Sequence, residues 1–156
     1  MRKLSWSEKW DIRFLELAKF IAQWSKDPST RTGAVIVDNR RRIISTGYNG
    51  FPIKCFDNLE DYNNREVKYS KIVHCEANVI VFARRDLQNC TLYTWPFQSC
   101  SSCAKLVIQS GITRCVAPEI PEHLKARWEK DMKIATSMFE EADVDIRLYN
   151  SLHHNL

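Results

Sequence analysis

The chain has 156 residues, of which 44% are hydrophobic and 27% charged, so it suits one globular domain with a buried core and is not a disordered chain. Its 23 Lys and Arg against 19 Asp and Glu give a net charge of +4, which suits a small anionic ligand but falls short of a nucleic-acid-binding surface. No apolar run approaches the roughly 20 residues that span a bilayer, and the N-terminus lacks the apolar segment of a secretory signal. We therefore expect a cytoplasmic protein without membrane contact, whose six cysteines are thiols or metal ligands.

The predicted elements alternate between helices and strands. Ser5 and Glu8 have the spacing of a capping box and predict a first helix, which we expect to end at Asp27-Pro28. The predicted elements after it are strands over 33–37 and 42–47, a long loop over 48–70, a helix over 72–85, a strand over 91–95, a helix over 100–110, a strand over 113–117, a helix over 121–142 and a strand over 144–149. This order predicts a largely parallel sheet with helices on both faces, which an opening hairpin makes mixed.

Two short motifs, each at the start of a predicted helix, contain side chains that bind metals. One is His74-Cys75-Glu76, and the other holds Cys100 and Cys103 three residues apart. Residues at this spacing share a helix face, and a helix N-terminus favours the thiolate that binds metal. With His74, they make three protein ligands, which is the pattern of a catalytic zinc with one position left for water.

Glu76 is close enough to His74 in sequence to lie beside such a water without being a ligand. A carboxylate there can take a proton from the water and deliver it to a leaving amine, while zinc lowers the pKa of the water. His-x-Glu followed by Cys-x-x-Cys is the recognised signature of zinc nucleobase deaminases. Taken separately, the histidine could be a packed or capping residue, and the cysteine pair could be a redox pair or half of a zinc knuckle.

Several segments resemble the cytidine deaminase-like superfamily and, within it, the deoxycytidylate deaminases. These segments are 25–37, 47–52, 74–78, 100–105 and 109–112, so the resemblance covers nearly the whole chain, from about residue 10 to residue 149. It implies a three-layer α/β/α sandwich with a five-stranded mixed sheet, in a single zinc-dependent deaminase domain over residues 1–156. It also implies hydrolysis of dCMP to dUMP and ammonia, which feeds thymidylate synthesis, with one catalytic Zn²⁺ per chain.

The resemblance also implies roles for individual residues. The implied zinc ligands are His74, Cys100 and Cys103. Glu76 is the implied proton shuttle, Asn49 contacts the sugar, and the backbone near Ala77 and Ser99 reads the edge of the pyrimidine. The chain departs from the family at two positions, where Cys75 replaces the usual alanine and Ser99 replaces the proline that usually precedes the first ligand cysteine.

A cluster of donors after the first predicted helix suggests a phosphate site. It comprises Ser25, Lys26, Ser29 and Arg31. Charge-assisted hydrogen bonds from such groups suit a monophosphate, so we assign substrate binding to Ser25 and Lys26, with Lys26 or Arg31 holding the phosphate.

Other functions remain open. A deaminase acting on a base in tRNA or on a free nucleoside shares the zinc pattern, and a non-catalytic zinc-binding regulatory module is a different class of protein. Acidic residues in the long loop argue against a polynucleotide partner; they are Asp57, Glu60, Asp61 and Glu66. The resemblance further implies a homo-oligomer, often a hexamer, that is regulated by dCTP and dTTP with Mg²⁺.

Overall fold

The computed structural model describes residues 3–156, and these form seven helices and five strands. Met1 and Arg2, the first two residues of the predicted domain, lie outside the described residues. The elements in chain order are α1 (Trp6–Ala22), β1 (Gly33–Val37), β2 (Ile43–Tyr48), α2 (Leu59–Asn63), α3 (Arg65–Lys71), α4 (Cys75–Ala83), β3 (Thr91–Trp95), α5 (Ser101–Gln109), β4 (Arg114–Pro118), α6 (Glu122–Glu141), β5 (Asp145–Tyr149) and α7 (Ser151–His154). Within residues 3–156, no helix has both the length and the apolar character that a membrane span requires.

The five strands form one mixed sheet in the order β2-β1-β3-β4-β5. The predicted β1–β2 hairpin is confirmed, but β1 is also antiparallel to β3, so only the β3–β4 and β4–β5 pairs are parallel. Four of the five strands therefore run in the same direction and β1 alone opposes them, which confirms the prediction of a largely parallel sheet made mixed by the opening hairpin. The crossover through α4 does join two strands of the same direction, β2 and β3, but β1 lies between them in the sheet.

Helices cover both faces of the sheet. Successive side chains of a strand point to opposite sides, and the apolar side chains of β1 on each side pack against helices. Val35, Val37 and Tyr93 belong to a buried cluster with the apolar face of α1. Ala34 and Ile36 belong to a second cluster, on the opposite face, with apolar residues of α4, α5 and α6. The predicted α/β/α sandwich with a five-stranded mixed sheet is confirmed.

The capping box of α1 is present. The Ser5 hydroxyl accepts from the Glu8 N–H at 3.2 Å, and the Glu8 carboxylate accepts from the Ser5 N–H at 2.8 Å. The helix ends at Ala22, earlier than the predicted Asp-Pro pair. The reason is a tertiary contact: the Ser25 hydroxyl donates to the Asn49 carbonyl at 2.8 Å, which directs the chain toward the end of β2.

The stretch predicted as a long loop, 48–70, contains the two short helices α2 and α3. Each begins at an asparagine cap. The Asn58 side chain accepts from the Asp61 N–H at 2.8 Å, and the Asn64 side chain accepts from the Val67 N–H at 3.3 Å. These helices determine which side chains of this stretch face the rest of the protein.

The helix predicted to begin at Ile72 begins at Cys75. Val73 is held in an extended conformation by two backbone hydrogen bonds to Gly50, of 2.8 and 3.1 Å. His74 is consequently the extended N-cap residue of α4, so its side chain lies at the N-terminus of that helix.

A buried carboxylate connects α1 to three strands. Asp11, which is 2% exposed, accepts hydrogen bonds from the Tyr93 and Tyr149 hydroxyls and two from the Arg114 guanidinium, all at 2.8 Å. Burial alone would raise the pKa of Asp11, but the bonds from Arg114, Tyr149 and Tyr93 outweigh it and hold the pKa below its usual value.

Replacing Asp11 with alanine should lower the free energy of unfolding by about 3 kcal/mol at pH 7, because Arg114 and two phenols lose their buried partner. Since the pKa of Asp11 is lowered on folding, this stabilisation is present above the usual value of 3.8 and is lost as the pH falls through the folded-state pKa. Urea unfolding at pH 7 and pH 3 measures both effects. Glu16→Ala, an exposed carboxylate of the same helix, is the control and should change stability by less than about 0.5 kcal/mol. An equal effect of the two substitutions would contradict the assignment.

Candidate active site

The fold brings the three predicted metal ligands together. His74 precedes α4, Cys100 is the N-cap residue of α5, and Cys103 lies in the first turn of α5. The His74 Nδ1 atom lies 3.5 Å from the Cys100 Sγ and 3.4 Å from the Cys103 Sγ. Among the described residues, no other set of three histidine, cysteine or acidic side chains has its donor atoms within 4.8 Å of one another.

These distances fit zinc. Tetrahedral coordination with Zn–S near 2.3 Å and Zn–N near 2.0–2.1 Å places a sulfur and a nitrogen ligand about 3.6 Å apart. The observed separations of 3.4 and 3.5 Å match this edge of the tetrahedron. One nitrogen and two sulfurs are donors that zinc prefers, and three protein ligands leave the fourth position for water.

The three side chains form hydrogen bonds with one another, and these bonds shift their pKa values. The hydrogen bond from Cys103, against burial and together with the one from His74, lowers the pKa of Cys100 to about 4. The bond with Cys100 is also the main reason why the pKa of Cys103 is raised far above its usual range and the pKa of His74 is raised. Cys100 is thus ready to act as a thiolate, and a divalent cation would displace the remaining protons as it binds.

Glu76 lies in the first turn of α4 and is 6% exposed, yet it lines the same cavity as His74 and Cys100. Its carboxylate accepts a hydrogen bond from the Cys75 thiol, at 3.3 Å between Sγ and Oε2. Burial raises the pKa of Cys75 well above its usual value, so this side chain stays a neutral donor. The geometry gives Glu76 a fixed orientation near the metal ligands.

The cavity has a volume of about 410 Å³ and is of the size that holds a small molecule such as a nucleotide. Its wall combines the metal-site residues with aromatic and cationic side chains from α3, α6 and the loop before α5. The lining residues are Asp27, Thr30, Thr32, Asn49, Arg65, Lys68, Tyr69, Ile72, His74, Glu76, Phe97, Gln98, Cys100, Arg127 and Trp128.

Asn49 is the one predicted substrate contact that lines the cavity, among the residues described. Both ends of its side-chain amide bond to the neighbouring loop, and Oδ1 keeps one acceptor position for a further partner. The Asn49 Oδ1 accepts from the Thr32 N–H at 2.8 Å, and Nδ2 donates to the Thr30 carbonyl at 2.9 Å. Ser25, which is buried, bonds to the Asn49 carbonyl and so supports this residue from behind.

Lys26 lies away from the cavity. Its side chain is 68% exposed, and its ammonium is 2.6 Å from the Asp57 carboxylate. Ala77 and Ser99 are likewise outside the cavity lining, and Arg31 is exposed with its Nε donating to the Asp27 carbonyl at 3.4 Å.

Three cations line the cavity that the sequence analysis did not identify. They are Arg65, Lys68 and Arg127. The same three line an adjoining pocket of about 340 Å³ that also includes Ser29, so the two cavities share a basic wall. Arg65 and Lys68 are three residues apart on α3, and a helix prediction for this stretch would have placed them on one face. Nothing local in the sequence would have joined them to Arg127 of α6.

The comparisons with known proteins agree with this geometry. A family model described as "Cytidine and deoxycytidylate deaminase zinc-binding region" matches residues 8–119. An uncharacterized deaminase from the luxG 3' region of Aliivibrio fischeri is 41% identical over 138 residues, which are 88% of this chain and 92% of that protein. Deoxycytidylate deaminase of Mus musculus is 38% identical over 114 residues, 69% of this chain, and the match spans 64% of the mouse protein, which is less than two thirds of its length.

A solved structure supports the fold. The crystal structure of dCMP deaminase from the cyanophage S-TIM5 in complex with dCMP and dUMP superposes with a TM-score of 0.70, covering 94% of this chain and 100% of that chain at 18% identity. The family match spans residues 8–119 and so includes both metal-binding motifs. The chain therefore belongs to the cytidine and deoxycytidylate deaminase zinc-binding family.

Proposed function

We propose that this protein hydrolyses dCMP to dUMP and ammonia, with His74, Cys100 and Cys103 as ligands of one catalytic zinc ion. The observation that carries the proposal is that one cavity joins these ligands and Glu76 to three cations. An enzyme that acts on a pyrimidine nucleotide needs catalytic groups beside the ring and positive charge beside the phosphate, and this cavity contains both. Relatives named deoxycytidylate deaminase support the choice of substrate.

When bound, zinc would supply Lewis acidity that brings the pKa of a coordinated water toward neutrality. Glu76 acts as the general base and acid: its carboxylate takes one proton from the attacking water and passes it to the ring nitrogen. It then takes the second proton from the hydroxyl added to the ring and passes it to the departing amine. The Cys75 thiol holds the Glu76 carboxylate in place by donating to Oε2. Because Glu76 is 6% exposed, bulk water competes little for these protons.

The rest of the cavity positions the nucleotide. Tyr69, Phe97 and Trp128 provide aromatic walls for a planar base. Asn49 remains the proposed contact to the sugar, supported from behind by Ser25. The proposed backbone contacts near Ala77 and Ser99 belong to the start of α4 and the turn before α5, which flank the metal ligands.

For the phosphate, we propose Arg65, Lys68 and Arg127 in place of Lys26, whose ammonium pairs with Asp57. Lys68 is partly neutralised by Asp27, at 2.8 Å.

The two arginines lie at the junction of the two cavities. Their guanidinium carbons are 5.2 Å (Arg65) and 5.8 Å (Arg127) from the centre of the Tyr69 ring, so both guanidinium groups lie near the same side chain. Two guanidinium groups that line the same cavity can hold a phosphate through charge-assisted hydrogen bonds.

The proposal also covers the location, domain organisation, oligomeric state and regulation of the enzyme. A cytoplasmic location is supported by the need for reduced Cys100 and Cys103 as ligands. A single catalytic domain over 1–156 is supported by the one continuous sheet of the described residues. A homo-oligomer, such as a hexamer, is supported by exposed apolar side chains including Phe20, Trp24 and Val81. Regulation by dCTP and dTTP with Mg²⁺ stays a prediction that rests on the resemblance.

Glu76→Gln should reduce ammonia release from dCMP by about 10²–10⁴-fold, because the amide cannot accept and return the proton. Zinc content should stay at one per chain, since Glu76 is outside the ligand set. Steady-state deamination and atomic absorption measure the two quantities. Glu140→Gln, an exposed acid on α6, is the control. If the wild-type protein binds zinc but releases no ammonia from dCMP, the alternative of a non-catalytic zinc-binding module would be favoured.

Arg127→Ala and Arg65→Ala should each lower kcat/KM for dCMP by about 10- to 100-fold, since a hydrogen bond to a charged group contributes about 1.5–3 kcal/mol. The same variants should change kcat/KM for deoxycytidine much less, because it has no phosphate. Lys130→Ala, an exposed cation of α6 outside both cavities, should leave both substrates unchanged. Equal losses on the nucleotide and the nucleoside would refute the phosphate assignment.

The salt dependence of activity separates a mononucleotide substrate from a base in tRNA. A monophosphate makes few phosphate contacts, so the logarithm of the apparent affinity should fall only shallowly with the logarithm of salt concentration. A panel of dCMP, deoxycytidine, guanine and a tRNA, assayed for ammonia at several salt concentrations, should show the highest kcat/KM for dCMP. A steep slope with preference for tRNA would overturn the proposed substrate.

A further inference from the structure

The Cys100 turn, residues 96–101, leads into a helix whose N-cap side chain does not cap it. Cys100 is the N-cap residue of α5, but its side chain makes no capping hydrogen bond, and as a metal ligand it is not free to make one. The first N–H groups of a helix have no partner within the helix. The residue directly before Cys100 is Ser99, so no proline fixes the backbone at that position. Other groups must therefore hold the turn in place.

On one side of Cys100, α6 supplies the missing cap. The Asp131 Oδ2 atom accepts from the Ser101 N–H at 2.8 Å, and the Asp131 Oδ1 atom accepts from the Ser101 hydroxyl at 2.5 Å. Both carboxylate oxygens are thus used on the residue that directly follows the ligand. This places a negative charge at the N-terminus of α5, where the helix dipole favours it.

On the other side of Cys100, the same helix holds Gln98. This side chain is 7% exposed, and its Nε2 donates to the Met132 carbonyl at 3.1 Å and to the Thr136 hydroxyl at 3.0 Å. Next to it, the ring of Phe97 packs against the ring of Trp128, with centroids 6.1 Å apart.

The contacts on α6 have helical spacing. Trp128, Asp131, Met132 and Thr136 follow one another at intervals of three, one and four residues, so they lie on one face of the helix. This α6 face contacts residues 97, 98 and 101, which bracket Cys100 on both sides.

We propose that Asp131 and Gln98 are positioning residues for zinc: through the α6 face they hold the Cys100 turn so that the two sulfurs and the His74 nitrogen keep the spacing that zinc requires. This rests on the proposed function, because it assigns the residues to the same metal. It goes beyond that function by locating the rigidity of the metal site in α6, a helix that contributes no ligand. Partners that orient metal ligands change metal affinity by about 10- to 100-fold when removed.

The test is zinc release from the zinc-loaded, full-length protein into excess 4-(2-pyridylazo)resorcinol, followed by absorbance. Asp131→Ala and Gln98→Met should each speed release by about 10- to 100-fold. Asp131→Asn keeps an acceptor for the Ser101 N–H and should restore most of the slow release. Glu129→Ala, a neighbouring exposed carboxylate of α6, should release zinc at the wild-type rate.

A spectroscopic measurement reports the ligand geometry directly. In the Co²⁺-substituted protein, the visible bands of a tetrahedral sulfur site should weaken and shift in Asp131→Ala but not in Glu129→Ala. Far-UV circular dichroism identifies the variants that keep the fold. Thr136→Val, which removes one acceptor of Gln98 at nearly constant volume, replaces any variant that fails to fold, and it should also speed release.

Wild-type release rates and unchanged cobalt spectra in folded variants at both Asp131 and the Gln98 contact would overturn the proposal. Such a result would leave the proposed deaminase function intact. A wild-type protein that binds no zinc would instead defeat the proposed function itself, so the two failures are distinguishable.

Discussion

The structure depends on the meeting of two helix N-termini at one edge of the sheet. His74 ends an extended segment and is the N-cap residue of α4, while Cys100 ends the turn after β3 and is the N-cap residue of α5. Each helix directs its N-terminal end toward the other, so the imidazole nitrogen lies within 3.5 Å of each of the two sulfurs. The positive ends of two helix dipoles favour the thiolate form that a metal needs. The backbone bonds between Val73 and Gly50 decide where α4 begins and hence where His74 points.

The two helical layers of the fold have different roles around this centre. On one face, the buried Asp11 connects α1 to three strands and does not line the cavity. On the other face, α4 and α5 carry the metal-binding side chains and Glu76. α6 adds Arg127 and Trp128 to the cavity wall and, one turn further along, contacts the turn that holds Cys100. One helix face thus adjoins both the expected phosphate position and the metal ligands.

The sequence predicted the parts of the site that depend on local spacing. Cys100 and Cys103 share a helix face because they are three residues apart, and Ser5 and Glu8 predict the start of α1 for a similar reason. Contacts between distant segments left no local pattern. Arg127 of α6 contacts Tyr69 of α3 although the two residues are 58 positions apart in the sequence, and Lys26 is drawn away from the cavity by Asp57.

The strand order of the sheet likewise could not be predicted from local sequence patterns. Strands and helices alternate in the sequence as a parallel sheet requires, but the alternation does not say that β1 lies between β2 and β3. The early end of α1 is also a tertiary effect, caused by a bond between Ser25 and the chain after β2. Local patterns therefore identified the chemistry of the site, whereas the shape of the substrate cavity required the fold.

The most direct test of the central claim is anomalous diffraction at the zinc absorption edge from crystals of the purified protein. The account predicts one strong peak per chain, bound by the His74 Nδ1 and the Cys100 and Cys103 Sγ atoms at about 2.0–2.3 Å, with the fourth position facing Glu76 and free of protein ligands. Absence of a zinc peak at these three side chains, or a fourth protein ligand that closes the site, would contradict it.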